Sequence, residues 1–262
     1  MNFRGGGAPE NNAPVRFLDD LFCSKHNLSL VKEVLRTGIS AKNSQDAFTM
    51  AEVLITLGII GIIAAMTLPS LIARQRSKVL EAQFHKRISE VSQAIMMLKK
   101  DEVYLSGTYL GKEIAPLLAA QFKGSISPAR AIYSYAKVAQ KAAIGYELPT
   151  YKNYTKTADF PKNQLDDGAI IVNKEFFIFI NNDHNNMTSY QIIIDVNGLQ
   201  KPNIFGYDVF AFELDKTDTL KSMPYSNAVK AYCNTKSSDA RNGWSCSYYA
   251  MTDRDYFKNL NW

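Results

Sequence analysis

Histidine and cysteine are scarce in this chain, three of each among 262 residues, and they are not arranged as ligands. His26, His85 and His184 stand far apart, so no His and Cys spacing typical of a metal site is present. There is no nucleophile motif, no glycine-rich phosphate loop and no pair of carboxylates at helical spacing. Catalysis has no foothold here, and the expectation is a protein that is not an enzyme. Lys and Arg are nowhere dense enough to form a nucleic-acid face, and the net charge of +5 implies only a weak attraction to anionic surfaces. No internal repeat is visible. At 46% hydrophobic residues the composition is that of a globular protein, not of a disordered one.

What the chain does have is a long apolar run. Residues 47 to 73 read AFTMAEVLITLGIIGIIAAMTLPSLIA, and the 21 residues from Val53 to Ala73 carry no charge. At about 1.5 Å per helical residue that suffices to cross roughly 30 Å of hydrocarbon. A secretory signal has a shorter apolar core, a cleavage site after it and no acid inside it. This run is longer, and its acid, Glu52, comes first. A carboxylate costs about 2.5 to 3.5 kcal/mol near a bilayer centre and less toward an interface. It is tolerated in an apolar place when paired with a positive charge. The alternative is a single-pass anchor with a stray interfacial glutamate. Within the run, Pro69 removes a backbone donor and should kink or open the helix, with Gly58 and Gly61 weakening it upstream.

Phe48-Thr49-Met50-Ala51-Glu52, followed by Gly58, Gly61 and Pro69, resembles the processing and assembly segment of type IV prepilins and type II secretion pseudopilins. The resemblance is specific over residues 47 to about 75 and general in layout beyond. It implies that a cytoplasm-facing prepilin peptidase cuts between Ala47 and Phe48 and methylates the new α-amine, leaving residues 1–47 as a leader. The family usually has glycine before the cut, where this chain has Ala47, and the leader is unusually long. A start site near Val31 would give one of the usual length. In the family the acid corresponding to Glu52 pairs with the amine of a neighbouring subunit, so Glu52 would set filament register. Implied partners are the peptidase, other pilin or pseudopilin subunits and an inner-membrane assembly platform. The head would lie outside the cytoplasm. Charge alone argues the other way, because Arg36 and Lys42 precede the run while Arg74, Arg76 and Lys78 follow it.

Removing the leader would take six basic and five acidic residues, leaving a net +4, together with Cys23. Cys233 and Cys246 remain, twelve residues between them in a Ser, Asn and Gly-rich stretch. Outside the cytoplasm such a pair reads as a disulfide, and many pilins close their carboxy-terminal region in this way. A zinc pair is the alternative, and it lacks further ligands.

Residues 1 to about 14 are Gly, Pro and Asn-rich and are expected to take no structure. After Pro69 the pattern turns amphipathic. Leu80, Phe84, Ile88, Val91, Ile95 and Leu98 recur at steps of three and four on one helix face, with Arg87, Glu90 and Lys99 expected opposite. The helix would run from Phe48 to Lys100, with residues 48–73 for membrane and assembly and 74–100 carrying a head, residues 101–262. Short helices are expected at Lys112 to Phe122 and at Pro128 to Ala143, the second capped by Ser127. Strands are expected at Gly168 to Val172 and Glu175 to Ile180, as a hairpin, then at Tyr190 to Asp195 and Tyr207 to Leu214. The expected fold is α+β and pilin-like, a long helix packed against an antiparallel sheet.

One stretch offers ligand chemistry. Asp195-Val196-Asn197-Gly198 with Pro202-Asn203, Gly206 and Asp208 supplies the hard oxygens calcium takes, through Asp195, Asn197 and Asp208. It is similar to the turns of major pseudopilins that hold calcium. Asn-Gly after a strand is also a plain turn signal, and both readings stand. The function expected is a pilin or pseudopilin subunit serving secretion, adhesion or motility. Two alternatives are a filament-tip module that binds DNA or another ligand, and a membrane-anchored protein that does not polymerise.

Overall fold

A single helix opens the described part of the chain. The computed structural model describes residues 49–109, 111–128, 132–182, 190–223 and 231–262. The chain divides into two units, residues 1–59 and 60–262, and residues 49–59 are the described part of the first. Helix α1, Met50–Lys100, is continuous over 51 residues. Of the two outcomes expected at Pro69, a kink or an opening, the helix does not open. An interior proline deletes one rung of the ladder, and the neighbouring turns hold, with the Thr67 hydroxyl donating to Ile63 O and the Ser70 hydroxyl to Thr67 O, both at 2.9 Å. Gly58 and Gly61 lie within the continuous helix. A Cβ at each would meet nothing within 4 Å, so neither glycine answers to packing inside this chain.

From Ser77 onward one face of α1 is buried: Ser77, Leu80, Phe84, Arg87, Val91, Ala94, Ile95 and Leu98. Arg87 belongs to this face, not to the opposite one, because it stands three residues after Phe84 and four before Val91. Its guanidinium is satisfied by Glu90 at 2.8 Å, Glu175 at 3.2 Å and the Val196 carbonyl at 3.4 Å, and it lies 4.4 Å over the Phe176 ring. A buried cation without such partners would be strongly destabilising. Ile88, expected on the buried face, is only half-buried.

The described strands form one antiparallel sheet whose order follows the chain: β1 Ser125–Ile126, β2 Gly168–Val172, β3 Phe176–Asn182, β4 Tyr190–Asp195, β5 Val209–Leu214 and β6 Leu220–Ser222. The β2–β3 hairpin turns at Asn173 and Lys174, both at positive φ (48° and 64°), a geometry that matches the twist of the flanking strands. The short edge strands β1 and β6 carry no alternation long enough to read in sequence.

Both faces of the sheet are covered. Ile170, Ile178, Ile192, Ile194, Phe210 and Phe212 meet α1 and helix α2, Gly111–Ala119. Phe84 sits at the centre, 4.6 Å from the Phe210 ring and 5.2 Å from Phe257. Burying such a side chain is worth about 1.5–3 kcal/mol. The alternate residues Ala169, Ile171, Phe177, Phe179, Ile193 and Val209 form a second core with Ile132, Tyr133, Leu148, Tyr151, Phe160 and Phe205. That is why the strands read as unbroken apolar runs and not as an alternation.

The helix expected over Pro128 to Ala143 is corrected. Ser127 and Pro128 are not helical; a single 3-10 turn, Ile132–Ser134, precedes helix α3, Lys137–Ile144. The cause is Gln140, whose buried amide donates to the carbonyls of Ile132 and Tyr133 at 3.1 Å and accepts from Leu148 N at 3.0 Å. Those carbonyls are satisfied outside a helical ladder, and Ile132 and Tyr133 turn into the second core.

Cys233 and Cys246 form a disulfide, and Cys246 opens helix α4, Cys246–Thr252, on the α1 side of the sheet. Gly243 beside it has φ +111°, and a Cβ there would lie 2.5 Å from Phe205 Cβ, so the chain can approach this closely only as glycine. Residues 257–262 then lie along α1. Cys233→Ala is expected to lower head stability by about 2–5 kcal/mol, read as a lower denaturation midpoint in non-reducing buffer, and the loss should vanish when both proteins are compared reduced.

Candidate functional site

Two places answer to the residues singled out by sequence. The first is the start of α1. Ala47 and Phe48 lie outside the described residues. Glu52 Oε2 accepts from Thr49 N at 2.9 Å and from the Thr49 hydroxyl at 2.8 Å, while Glu52 N donates back to Thr49 Oγ1 at 3.2 Å. This reciprocal pair is a capping box: it satisfies amide donors that a helix start leaves without partners. Glu52 thus has a local role that a search for a charge partner does not reveal. Thr49 was legible, since Thr-x-x-Glu before an apolar run is the sequence mark of that cap. From Val53 to Ile72 the large apolar side chains point outward, Leu54 at 69% and Ile60 at 62% exposure among them. Thr56 and Thr67 fold their hydroxyls back onto backbone carbonyls. Among the described residues, α1 is long and apolar enough to cross a membrane.

The second place is the turn joining β4 to β5. The structure brings Asp195, Asn197 and Asp208 together there. Asp195 Oδ1 accepts from Asn197 N at 3.2 Å and Gly198 N at 2.8 Å, and Oδ2 accepts from the Tyr151 hydroxyl at 2.7 Å. Asp208 accepts from Asn203 N at 2.6 Å and Ile204 N at 2.7 Å. Gly198, at φ +64°, lies so close to the β2–β3 turn that a Cβ would stand 2.4 Å from Lys174 O. Tyr151, from the second core, carried no signal in sequence as a partner of Asp195.

Every carboxylate oxygen of the pair thus holds at least one donor without exhausting its acceptor capacity, and the side-chain oxygens of Asn197 and Asn203 are buried without a hydrogen-bond partner among the described residues. Asn197 turns its amide nitrogen to Lys201 O at 3.2 Å. The described residues hold no group of three or more His, Cys, Asp or Glu fit to bind a metal ion. Burial pushes the Asp208 carboxyl up to about 7 against the pull of its backbone donors. Burial, then the neighbouring Asp208 charge, drives Asp195 well above the usual carboxylate range.

The outward apolar helix with a meander sheet on its second half is an α+β, pilin-like architecture. Residues 42–68 match the prokaryotic N-terminal methylation motif, the signal motif of type IV prepilin-like proteins. That motif implies processing by a prepilin peptidase and assembly with other pilin subunits. No curated protein and no solved structure matches the chain.

The aspartate pair gives a pH dependence whose sign follows from its raised values. The fold holds protons that the unfolded chain releases near pH 4, so the contribution is complete below that pH and is lost as pH rises through about 7. The head should be more stable at pH 5 than at pH 8 by roughly 2–4 kcal/mol in denaturant titrations. Asp208→Asn, which gives up one turn hydrogen bond, should reduce that slope and leave the part that burial of Asp195 contributes.

Proposed function

We propose that the chain is a structural, non-catalytic subunit, a pilin or pseudopilin, of a type IV pilus-like or type II secretion filament. The observation that carries this reading is the methylation motif over residues 42–68 lying on a helix whose apolar side chains face outward and whose second half is built into a folded head. An unpartnered apolar helix of this length needs a membrane at one stage and other copies of itself at another. Glycines at 58 and 61 that leave open space are consistent with close approach by a neighbouring helix. The disulfide supports a head exposed to an oxidising compartment. The subunit is held in the inner membrane through α1 and delivered to a filament by an assembly platform.

Processing is tested first. Mass mapping of the mature protein from cells that contain the peptidase should find the amino terminus at N-methyl-Phe48. A chain still carrying residues 1–47 in those cells would remove the main support for the reading.

The role of Glu52 needs two variants, because the side chain also caps α1. Glu52→Gln keeps the capping hydrogen bonds and removes the charge; Glu52→Ala removes both. If the charge pairs with the α-amine of the next subunit, both variants should be cleaved and membrane-held yet absent from sheared filaments, since the amine is left unpaired in an apolar core. Loss of assembly in Glu52→Ala alone would assign Glu52 to the cap. Filament incorporation equal to the parent in both variants would place the protein among anchors that do not polymerise.

A further inference from the structure

Three cations end the apolar run. Arg74, Arg76 and Lys78 follow Ala73 directly, are exposed, and form no ion pair with a described residue. On the side of the membrane where the head is placed, basic residues next to a span run against the usual bias, so the chain carries them at a cost in orientation.

Their height is informative. At 1.5 Å per residue they stand about 1.5 to 8 Å beyond Ala73, while the polar layer of a bilayer is roughly 5 to 8 Å deep on each side. They also surround the helix, because successive residues turn by about 100°. Arg74 and Lys78 fall on one side of the head-facing Ser77, and Arg76 falls on the other. The first carboxylate on α1 past the run, Glu81, comes almost a turn after Lys78.

An independent contact marks the same level. Trp262 Nε1 donates to Ser77 Oγ at 2.9 Å, which sets an indole, the side chain most at home in a membrane interface, among the three cations. The Trp262 ring meets Tyr207 edge-on at 5.7 Å, and the exposed Lys156 ammonium lies 5.0 Å over that Tyr207 ring. A second element of the head thus adds a fourth cation beside the indole.

We propose that Arg74, Arg76, Lys78, Lys156 and Trp262 form a collar that binds the headgroups of anionic phospholipids in the leaflet where the apolar run ends. The proposal rests on the membrane-anchored reading of α1. The three helix cations and Lys156 engage lipid phosphates, and the indole lies at the boundary with the acyl chains. The collar seats the head on the bilayer, and a subunit entering a filament must surrender these contacts.

The test uses the full chain carrying Trp244→Phe, so that Trp262 is the remaining tryptophan. It is reconstituted in phosphatidylcholine vesicles with or without phosphatidylglycerol, the lipids being brominated near the headgroup. Flotation reports anchoring, and quenching of Trp262 fluorescence reports the collar. The expected result is flotation in both lipids, with quenching about twofold greater when phosphatidylglycerol is present. The increment should disappear in the Arg74→Gln, Arg76→Gln, Lys78→Gln triple variant and in 1 M salt, where charges are screened within about 3 Å. A chain that floats with quenching indifferent to phosphatidylglycerol or to the triple variant overturns the collar and leaves the anchor standing. Failure to float overturns the anchored reading and the collar together.

Discussion

Everything else in the structure depends on one helical ladder serving two solvents. Helix α1 keeps its backbone hydrogen bonds internal from Met50 to Lys100 apart from the rung lost at Pro69, so its side chains decide where each stretch is soluble. Up to Ala73 they are apolar on every side and require hydrocarbon or copies of the same helix. Beyond Ser77 they are apolar on one side and require a sheet. The head exists to cover that second half, and the sheet in turn needs Phe84 and its neighbours to cover one of its own faces.

The parts legible in sequence were those with a long period. Six apolar residues at helical spacing named the α1 face, and apolar runs rich in Ile, Phe and Val named four strands. Arg87 was misread because its charge outweighed its position, although the spacing to Phe84 and Val91 already placed it on the buried side. The second core was not seen because its members, Ile132, Tyr133, Leu148, Tyr151 and Phe160, are scattered through a segment without periodicity and are gathered only by Gln140 and the sheet. The site shows the same division. Glu52 was visible from its isolation in an apolar run, and its cap, not read there, had a local mark in the Thr49 spacing, whereas the phenol of Tyr151 reaches Asp195 across 44 residues and leaves none.

The β4–β5 turn shows how a fold uses acids it can barely afford to bury. Each carboxylate organises a short backbone reversal by accepting neighbouring amides, and the two reversals meet beneath the β2–β3 hairpin. A single aspartate there would be an ordinary turn residue. Two within reach of each other turn the same architecture into a proton-binding element, because both charges cannot be kept cheaply out of water.

The bond between Ser77 and Trp262 also bears on how the chain closes. Each hairpin of the meander closes a short loop, while this contact spans 185 residues. Closing so long a flexible loop costs on the order of 3 kcal/mol more than closing one of a few residues. The seam between α1 and residues 257–262 therefore gains most from a sheet that has already drawn the chain together.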